Sequence, residues 1–308
     1  MHTTIEALGR AEVGRRLRAD AGLNFEIGPF RIRAHSRLSA ITEHVMEMYG
    51  RHRVSDSAYA DIHCAVETPP GLRALVRRQV VFRFDDQYPF KPLPHAQARP
   101  FFEWGLNWCI ATTAHQYLII HAGVVARGER CALIPGRPGA GKSTLCAALV
   151  AAGWRLLSDE MALIDPETGR IWPVPRPVSL KNESIAIIRE RAPDMHLGPV
   201  VTDTHKGTVT HLRAPADSVA AADRPARPAW VVYPAYEPGV PLGVEPVESC
   251  RSVIALAEDS YNFPLLGSRG FHVLTGLAQS SASYRLRYSS LDEAIAWFDA
   301  LAATPEAS

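Results

Sequence analysis

Residues Gly136 to Thr144 read Gly-Arg-Pro-Gly-Ala-Gly-Lys-Ser-Thr, a run that fits the phosphate-binding pattern G-x-x-x-x-G-K-[ST]. Such a run works only where a strand feeds a tight glycine turn and the turn opens a helix. There, successive backbone N–H groups and the helix dipole face the phosphate oxygens. The flanks predict that context. Cys131 to Ile134 form a short apolar run suited to a buried strand. Leu145, Cys146, Leu149 and Val150 fall at helical spacing, and Gly153 stands where the helix would end. Gly136, Arg137, Pro138, Gly139, Ala140, Gly141, Lys142, Ser143 and Thr144 are therefore the expected phosphate cradle. Lys142 would reach the β- and γ-phosphates, and the Ser143 hydroxyl would sit on a bound Mg²⁺. Pro138 has no N–H to offer, so the cradle relies on its neighbours.

The chain has 308 residues, which predicts about two domains. Hydrophobic residues make up 47% and charged residues 21%, ordinary for a globular protein. The net charge is +1 with Lys and Arg scattered, so neither a nucleic-acid nor a membrane surface is expected. Met1 to Asp20 hold no apolar core of a signal peptide, and no apolar run nears the roughly 18 residues of a membrane span. Five cysteines, an odd number without a C-x-x-C pair, are expected to be reduced core residues, which points to the cytoplasm.

Before the loop, the pattern predicts a charged helix over residues 3–20 and a strand over 25–33 broken at Gly28-Pro29. A helix over 38–49 and strands over 58–66 and 80–84 follow, making an α/β module. Pro89, Pro92, Pro94 and Pro100 mark the candidate linker. The expected division is an N-terminal α/β accessory domain over 1–96 and a phosphate-loop domain over 97–308. In the second part, Phe101, Trp104 and Trp108 form an aromatic stripe whose ordinary role is core. Tyr117 to Ala126 read as one strand interrupted by His121, folding back around Arg127 to Arg130 onto the strand that feeds the loop. His121 is either a core residue or, beside the loop, a catalytic one.

Trp154 to Leu157 read as a strand ending in Asp159 and Glu160, 17 residues beyond Lys142. Carboxylates there suit Mg²⁺, and one of the pair can take a hydroxyl proton. Arg176 and Lys181 are candidates either to reach phosphate or to form salt bridges. Asp203 to Val209 have loop composition and offer Lys206 as a mobile cation, and residues 213–229 read as a surface excursion rich in Ala and Pro. Strands are expected over 230–233 and 284–288. The last helix opens with the capping box Ser290 to Glu293 and turns Leu291, Ile295, Phe298 and Leu301 inward.

A phosphate loop alone leaves the reaction open. The serine-glycine-glycine signature of transport ATPases and the N-K-x-D motif of GTPases are absent. Small-metabolite kinases usually begin with the loop, whereas 135 residues precede Gly136 here. The order His121-Ala122, hairpin, Gly136 to Thr144, then Gly153 to Glu160 resembles the core of the HPr kinase/phosphorylase family. With Glu103 to Trp108, Arg176 to Ser184 and Lys206 to Thr208, the chain is similar to the group called HprK-related kinase A. That resemblance implies an α/β fold related to phosphoenolpyruvate carboxykinase, ATP and Mg²⁺ as cofactors, and phosphorylation of a serine or other hydroxyl.

By position, Asp159 would hold Mg²⁺ or act as base, Glu160 would share that duty, and His121 would orient or tune the pair. Glu160 replaces the family's usual second Asp. The E-[IL]-R-G-x-G signature of bifunctional members is absent, with Leu180 to Ser184 in its place, so a reverse phosphorylase activity is not expected. The resemblance further suggests a peptide acceptor, since such kinases occur beside peptide-maturation genes, and a ring-like homo-oligomer. The expected activity is ATP-dependent transfer of the γ-phosphoryl group to a hydroxyl, foremost a Ser or Thr of a protein or ribosomally made peptide; the alternatives are a kinase of a small-molecule hydroxyl and a nucleotide-gated binding protein that transfers nothing.

Overall fold

A short glycine turn organises the N-terminal part. The computed structural model describes residues 3–69, 78–137 and 139–304. Helices α1 (Ile5–Leu8) and α2 (Arg10–Arg18) replace the single helix expected over 3–20. Gly9, at φ 76°, breaks it. Strands β1 (Leu23–Ile27) and β2 (Phe30–His35) pair as a hairpin across Gly28, with Ile27 opposite Phe30. Helix α3 (Ser39–Tyr49) leads to β3 (Ile62–Glu67), β4 (Gln79–Phe84) and β5 (Leu93–Pro94), completing a sheet of order β1-β2-β3-β4-β5.

The expected linker over 89–100 is instead built into this layer. β5 pairs with β4, Gln97 and Ala98 are buried, and helix α4 (Ala98–Thr113) already runs through Pro100. Proline is tolerated there because N–H groups of a first helical turn have no intrahelical partner. Phe101, Phe102, Leu106 and Ile110 of α4 enter one core with Phe25, Ile32, Val66 and Phe82. Trp104 and Trp108 pack partly buried against it. Met161, Leu163 and Val174 join the same core from beyond the Gly136–Thr144 segment.

Gly28 is where that union is tightest. It sits at φ 56°, and a Cβ there would lie 1.9 Å from the Pro173 carbonyl oxygen. Gly28→Ala is expected to destabilise the protein by about 2–4 kcal/mol, combining left-handed strain with a backbone clash. A denaturant midpoint equal to wild type would show that this turn and Pro173 can separate freely.

The run expected as one strand over 117–126 is two: β6 (Leu118–Ile120) and β7 (Ala122–Arg127), with His121 at the break. The halves enter different sheets. β6 pairs with β10 (Ala162–Ile164), which pairs with β11 (Ile171–Trp172). β7 turns at Gly128 into β8 (Arg130–Pro135) as an antiparallel hairpin. The principal sheet adds β9 (Arg155–Ser158), β15 (Arg227–Tyr236), β16 (Gly243–Pro246) and β17 (Ala282–Tyr288) in the order β16-β17-β15-β8-β7-β9. The β8/β15 and β15/β17 pairs are parallel and the others antiparallel.

Both faces of this sheet are covered, which is why its strands read as continuous apolar runs. Ala132 and Ile134 of β8 face α5 (Lys142–Ala151) and α10 (Leu291–Ala303). Cys131 and Leu133 face α8 (Ser249–Glu258) and α9 (Phe263–Ser280). The capping box of α10 forms, Ser290 Oγ accepting from the Glu293 N–H at 3.4 Å. Four cysteines are buried as expected, but Cys250 is exposed.

A third small sheet joins β12 (Val178–Lys181), β14 (Gly207–Leu212) and β13 (Val201–Thr204), and α6 (Glu183–Arg191) follows β12. The expected loop at 203–209 is therefore a hairpin with Lys206 at its tip. The expected excursion over 213–229 also packs inward: α7 (Ala216–Ala220) carries buried Ser218 and Val219, and Ala226 is fully buried. The whole is mixed α/β with several sheets. Among the described residues, no helix is long and apolar enough to cross a membrane.

Candidate functional site

β8 delivers the chain to the loop, and α5 leaves it. Between them Gly136, Gly139 and Gly141 take φ of 139°, 88° and 89°. At Gly141 a Cβ would come within 2.8 Å of the Tyr288 hydroxyl and 3.4 Å of Tyr236 Cβ. Glycine is thus required there by conformation and by space. Ala140 N–H donates to the Arg137 carbonyl at 3.2 Å, closing the turn. Pro138 lies outside the described residues.

Lys142 is buried at the start of α5, and its ammonium donates back to the carbonyls of Gly136 and, at 3.2 Å, Arg137. Burial pushes its pKa down, opposed by the charges of Glu160, Asp259 and Asp159. Ser143 and Thr144 stand half-buried in the same first turn. A helix N-terminus with a lysine ammonium beside it is an arrangement able to take an anion.

β9 brings the acids alongside. Ser158 Oγ accepts from the N–H groups of Glu160 and Met161, turning the chain sharply. Asp159 is 5% exposed. Its Oδ2 accepts from Ser179 N–H at 2.9 Å and Oδ1 has no partner. Burial, then repulsion from Glu160, pushes the Asp159 pKa up to about 7, against the Ser179 bond and the nearby Ser143 hydroxyl, which favour the charged form. Glu160 Oε2 lies 3.8 Å from His121 Nδ1.

His121 occupies the break between β6 and β7, so its position follows from the chain changing sheets. Its Nδ1 is 2.7 Å from the Tyr261 hydroxyl, and its backbone N–H donates to the Asp259 carbonyl at 2.8 Å. Burial lowers the His121 pKa, with Glu160 pulling it up. Burial also raises the Tyr261 pKa, so a neutral phenol and imidazole share this hydrogen bond, the donor being set by the imidazole tautomer.

The structure thus gathers Gly136 to Thr144 apart from Pro138, with Asp159, Glu160 and His121, into one place. Sequence reasoning missed Asp259 and Tyr261, which follow α8 about a hundred residues later. They are fixed by Asn262, which is fully buried. Its Oδ1 accepts from Ile119 N–H at 2.9 Å and its Nδ2 donates to the Tyr117 carbonyl at 2.8 Å.

Arg176 does not serve as a phosphate ligand in this arrangement. It is buried, and its Nη2 donates to Glu103 Oε2 at 2.6 Å and to the Glu103 carbonyl at 2.8 Å, while Nη1 donates to Asn107 Oδ1. Glu103 also accepts from the Tyr49 hydroxyl at 2.8 Å and lies 2.6 Å from His44 Nε2. Burial alone would raise the Glu103 pKa; the Arg176 charge and the His44 bond hold it well below the usual carboxylate range. Three residues beyond Arg176, Ser179 holds Asp159, so this buried network anchors the strand that positions the acid. Lys181 follows on that strand, and Lys206 lies over the Trp104 ring, 5.2 Å from its centroid.

No family model matches the chain, and no curated protein matches it. Among solved structures, the Hpr(Ser) kinase/phosphatase from Coxiella burnetii aligns over 60% of this chain and 97% of its own, with 13% identity and a TM-score of 0.27. A likeness that weak carries no argument about this chain's fold or site.

Proposed function

We propose that the protein is an ATP-dependent kinase of the HprK-related kinase A type, transferring the γ-phosphoryl group to a Ser or Thr hydroxyl of a protein or ribosomally made peptide. The observation that carries this reading is the placement of Asp159 and Glu160 against Lys142 and Ser143. A loop for phosphate, a carboxylate near the loop's serine, and a second acid at hand are the parts that phosphoryl transfer needs. The residues fit a divalent cation: the Ser143 hydroxyl and the partnerless Asp159 Oδ1 are hard oxygen donors of the kind Mg²⁺ takes. When bound there, Mg²⁺ supplies charge neutralisation at the phosphate oxygens.

The chain's own residues do the rest. Loop N–H groups and Lys142 hold and neutralise the β- and γ-phosphates. An acid of the Asp159/Glu160 pair takes the proton as the acceptor oxygen bonds to phosphorus and the bond from phosphorus to the bridging oxygen breaks, leaving ADP. An acid whose pKa stands near neutrality suits that exchange. Tyr261 and His121 keep Glu160 in place beside Asp159.

Incubating the purified protein with γ-labelled ATP, Mg²⁺ and a lysate tests the reading. A labelled polypeptide supports it, a labelled metabolite moves the acceptor to a small hydroxyl compound, and ATP binding without transfer or hydrolysis leaves a switch. Asp159→Asn is expected to lower transfer by about 10²–10⁴-fold. A rate within about threefold of wild type would move the base and metal roles elsewhere.

A further inference from the structure

The four side-chain polar atoms Trp104 Nε1, Asp159 Oδ1, Ser179 Oγ and His211 Nε2 are buried and have no hydrogen-bond partner. All four residues line a single cleft. Ser179 and His211 are register partners on β12 and β14, so both side chains rise from the same sheet face. Asp159, Ser179 and His211 are each more than nine-tenths buried. Buried polar groups are normally satisfied, so a convergence of four that are not marks a place built for a polar ligand. The volume of the cleft is about 10 Å³, room for one hydroxyl-sized group.

The rim has a different chemistry. Lys181 lies on the same strand face as Ser179, two residues on. Lys206, at the tip of the β13/β14 hairpin, arches over the Trp104 ring. Among the described residues neither lysine has a carboxylate within 4.0 Å. Two ammonium groups without a carboxylate partner, one of them over the indole ring, offset the acids Asp159 and Glu160 that line the cleft and favour an anionic oxygen group at its edge.

We propose that this cleft is the acceptor site and that it takes a hydroxyl compound bearing a carboxylate close to the hydroxyl. The hydroxyl enters the narrow floor between Asp159 and Ser179, and the carboxylate stays at the rim with Lys181, Lys206 and the Trp104 N–H. This rests on the kinase reading for the fate of the hydroxyl, but the recognition is a binding property measurable without ATP.

The test is calorimetric titration of the full chain at constant ionic strength. The probes are glycerate against glycerol, and the tripeptide Ac-Asp-Ser-Asp-NH₂ against Ac-Ala-Ser-Ala-NH₂. At least one acid-bearing probe is expected to bind about tenfold more tightly than its neutral partner. A response to glycerate assigns the source as a small hydroxy acid, and a response to the tripeptide alone assigns an acidic peptide. The Lys181→Met, Lys206→Met double variant should bring the acid-bearing probe down to the neutral level, and Ser179→Ala should weaken both members of a pair. Equal binding of charged and neutral probes, or binding of neither, overturns the proposal. So do Ser179→Ala and His211→Ala variants that lower the melting temperature and leave probe affinity unchanged. ATP binding by the wild type is measured separately; its absence sinks the kinase reading and leaves the probe comparison to stand or fall alone.

Discussion

Lys142→Ala is expected to cut phosphoryl transfer by about 10³-fold and to leave the fold in place. Among the described residues the lysine ammonium donates only to the Gly136 and Arg137 carbonyls, groups of the loop itself, and belongs to none of the three apolar cores. Its loss therefore frees two acceptors that water can reach, at a cost of about 1 kcal/mol. For the nucleotide the same loss is far larger, since a buried cation opposite developing charge acts in a low-dielectric site where nothing else can replace it. Two measurements on the same purified variant separate the roles: γ-phosphoryl transfer and the denaturant midpoint. Transfer at the wild-type rate would remove Lys142 from the mechanism. A collapse of the midpoint would make it a structural residue of the loop.

The loop, His121 and the acid pair were legible in the sequence because they lie within one stretch of forty residues, Ile120 to Met161 excepted at its ends, and their spacing follows from one hairpin, one helix and one returning strand. What the sequence hid is tertiary. β6 and β7 are both buried on every side, so no alternation betrays the change of sheet at His121. Asp259 and Tyr261 reach the site because Asn262 and backbone bonds to Ile119 and His121 pin their segment along β6. α9 went unread because Gly267, at φ 54°, interrupts its periodicity. Arg176, set among prolines, carried no sign that Glu103 on α4 would bury it. The hairpin at 203–209 and the packed segment after it read as loops because burial of small residues such as Ser218 and Ala226 leaves no apolar pattern.

Glu103→Ala is expected to destabilise the protein by about 3–5 kcal/mol, because it strands the Arg176 charge in a buried site and takes the acceptor from Tyr49 and His44. The double variant Glu103→Leu, Arg176→Met should recover much of that loss, since replacing both partners leaves no charge uncompensated. Its transfer rate should nevertheless stay low, because Arg176 anchors the strand whose Ser179 N–H holds Asp159. The same network fixes a pH dependence. Glu103 has a folded pKa below its ordinary 4.5, so its stabilisation is full above that value and is lost as the pH falls below it. His52 and His211, lowered by burial from 6.5 to about 4 and about 3, stay neutral in the fold, and stability falls as the pH drops through 6.5. Asp159 acts oppositely: raised from 3.8 to about 7, it favours the folded state at low pH and withdraws that support as the pH climbs through about 7. The melting temperature of the wild type should therefore fall from pH 6.5 to 3.5. The fall should steepen in Asp159→Asn, which removes the opposing group, and flatten below pH 4.5 in Glu103→Gln. A wild-type melting temperature that rises on acidification would mean that the buried histidines are charged in the folded protein and that Glu103 is paired with them as an ion.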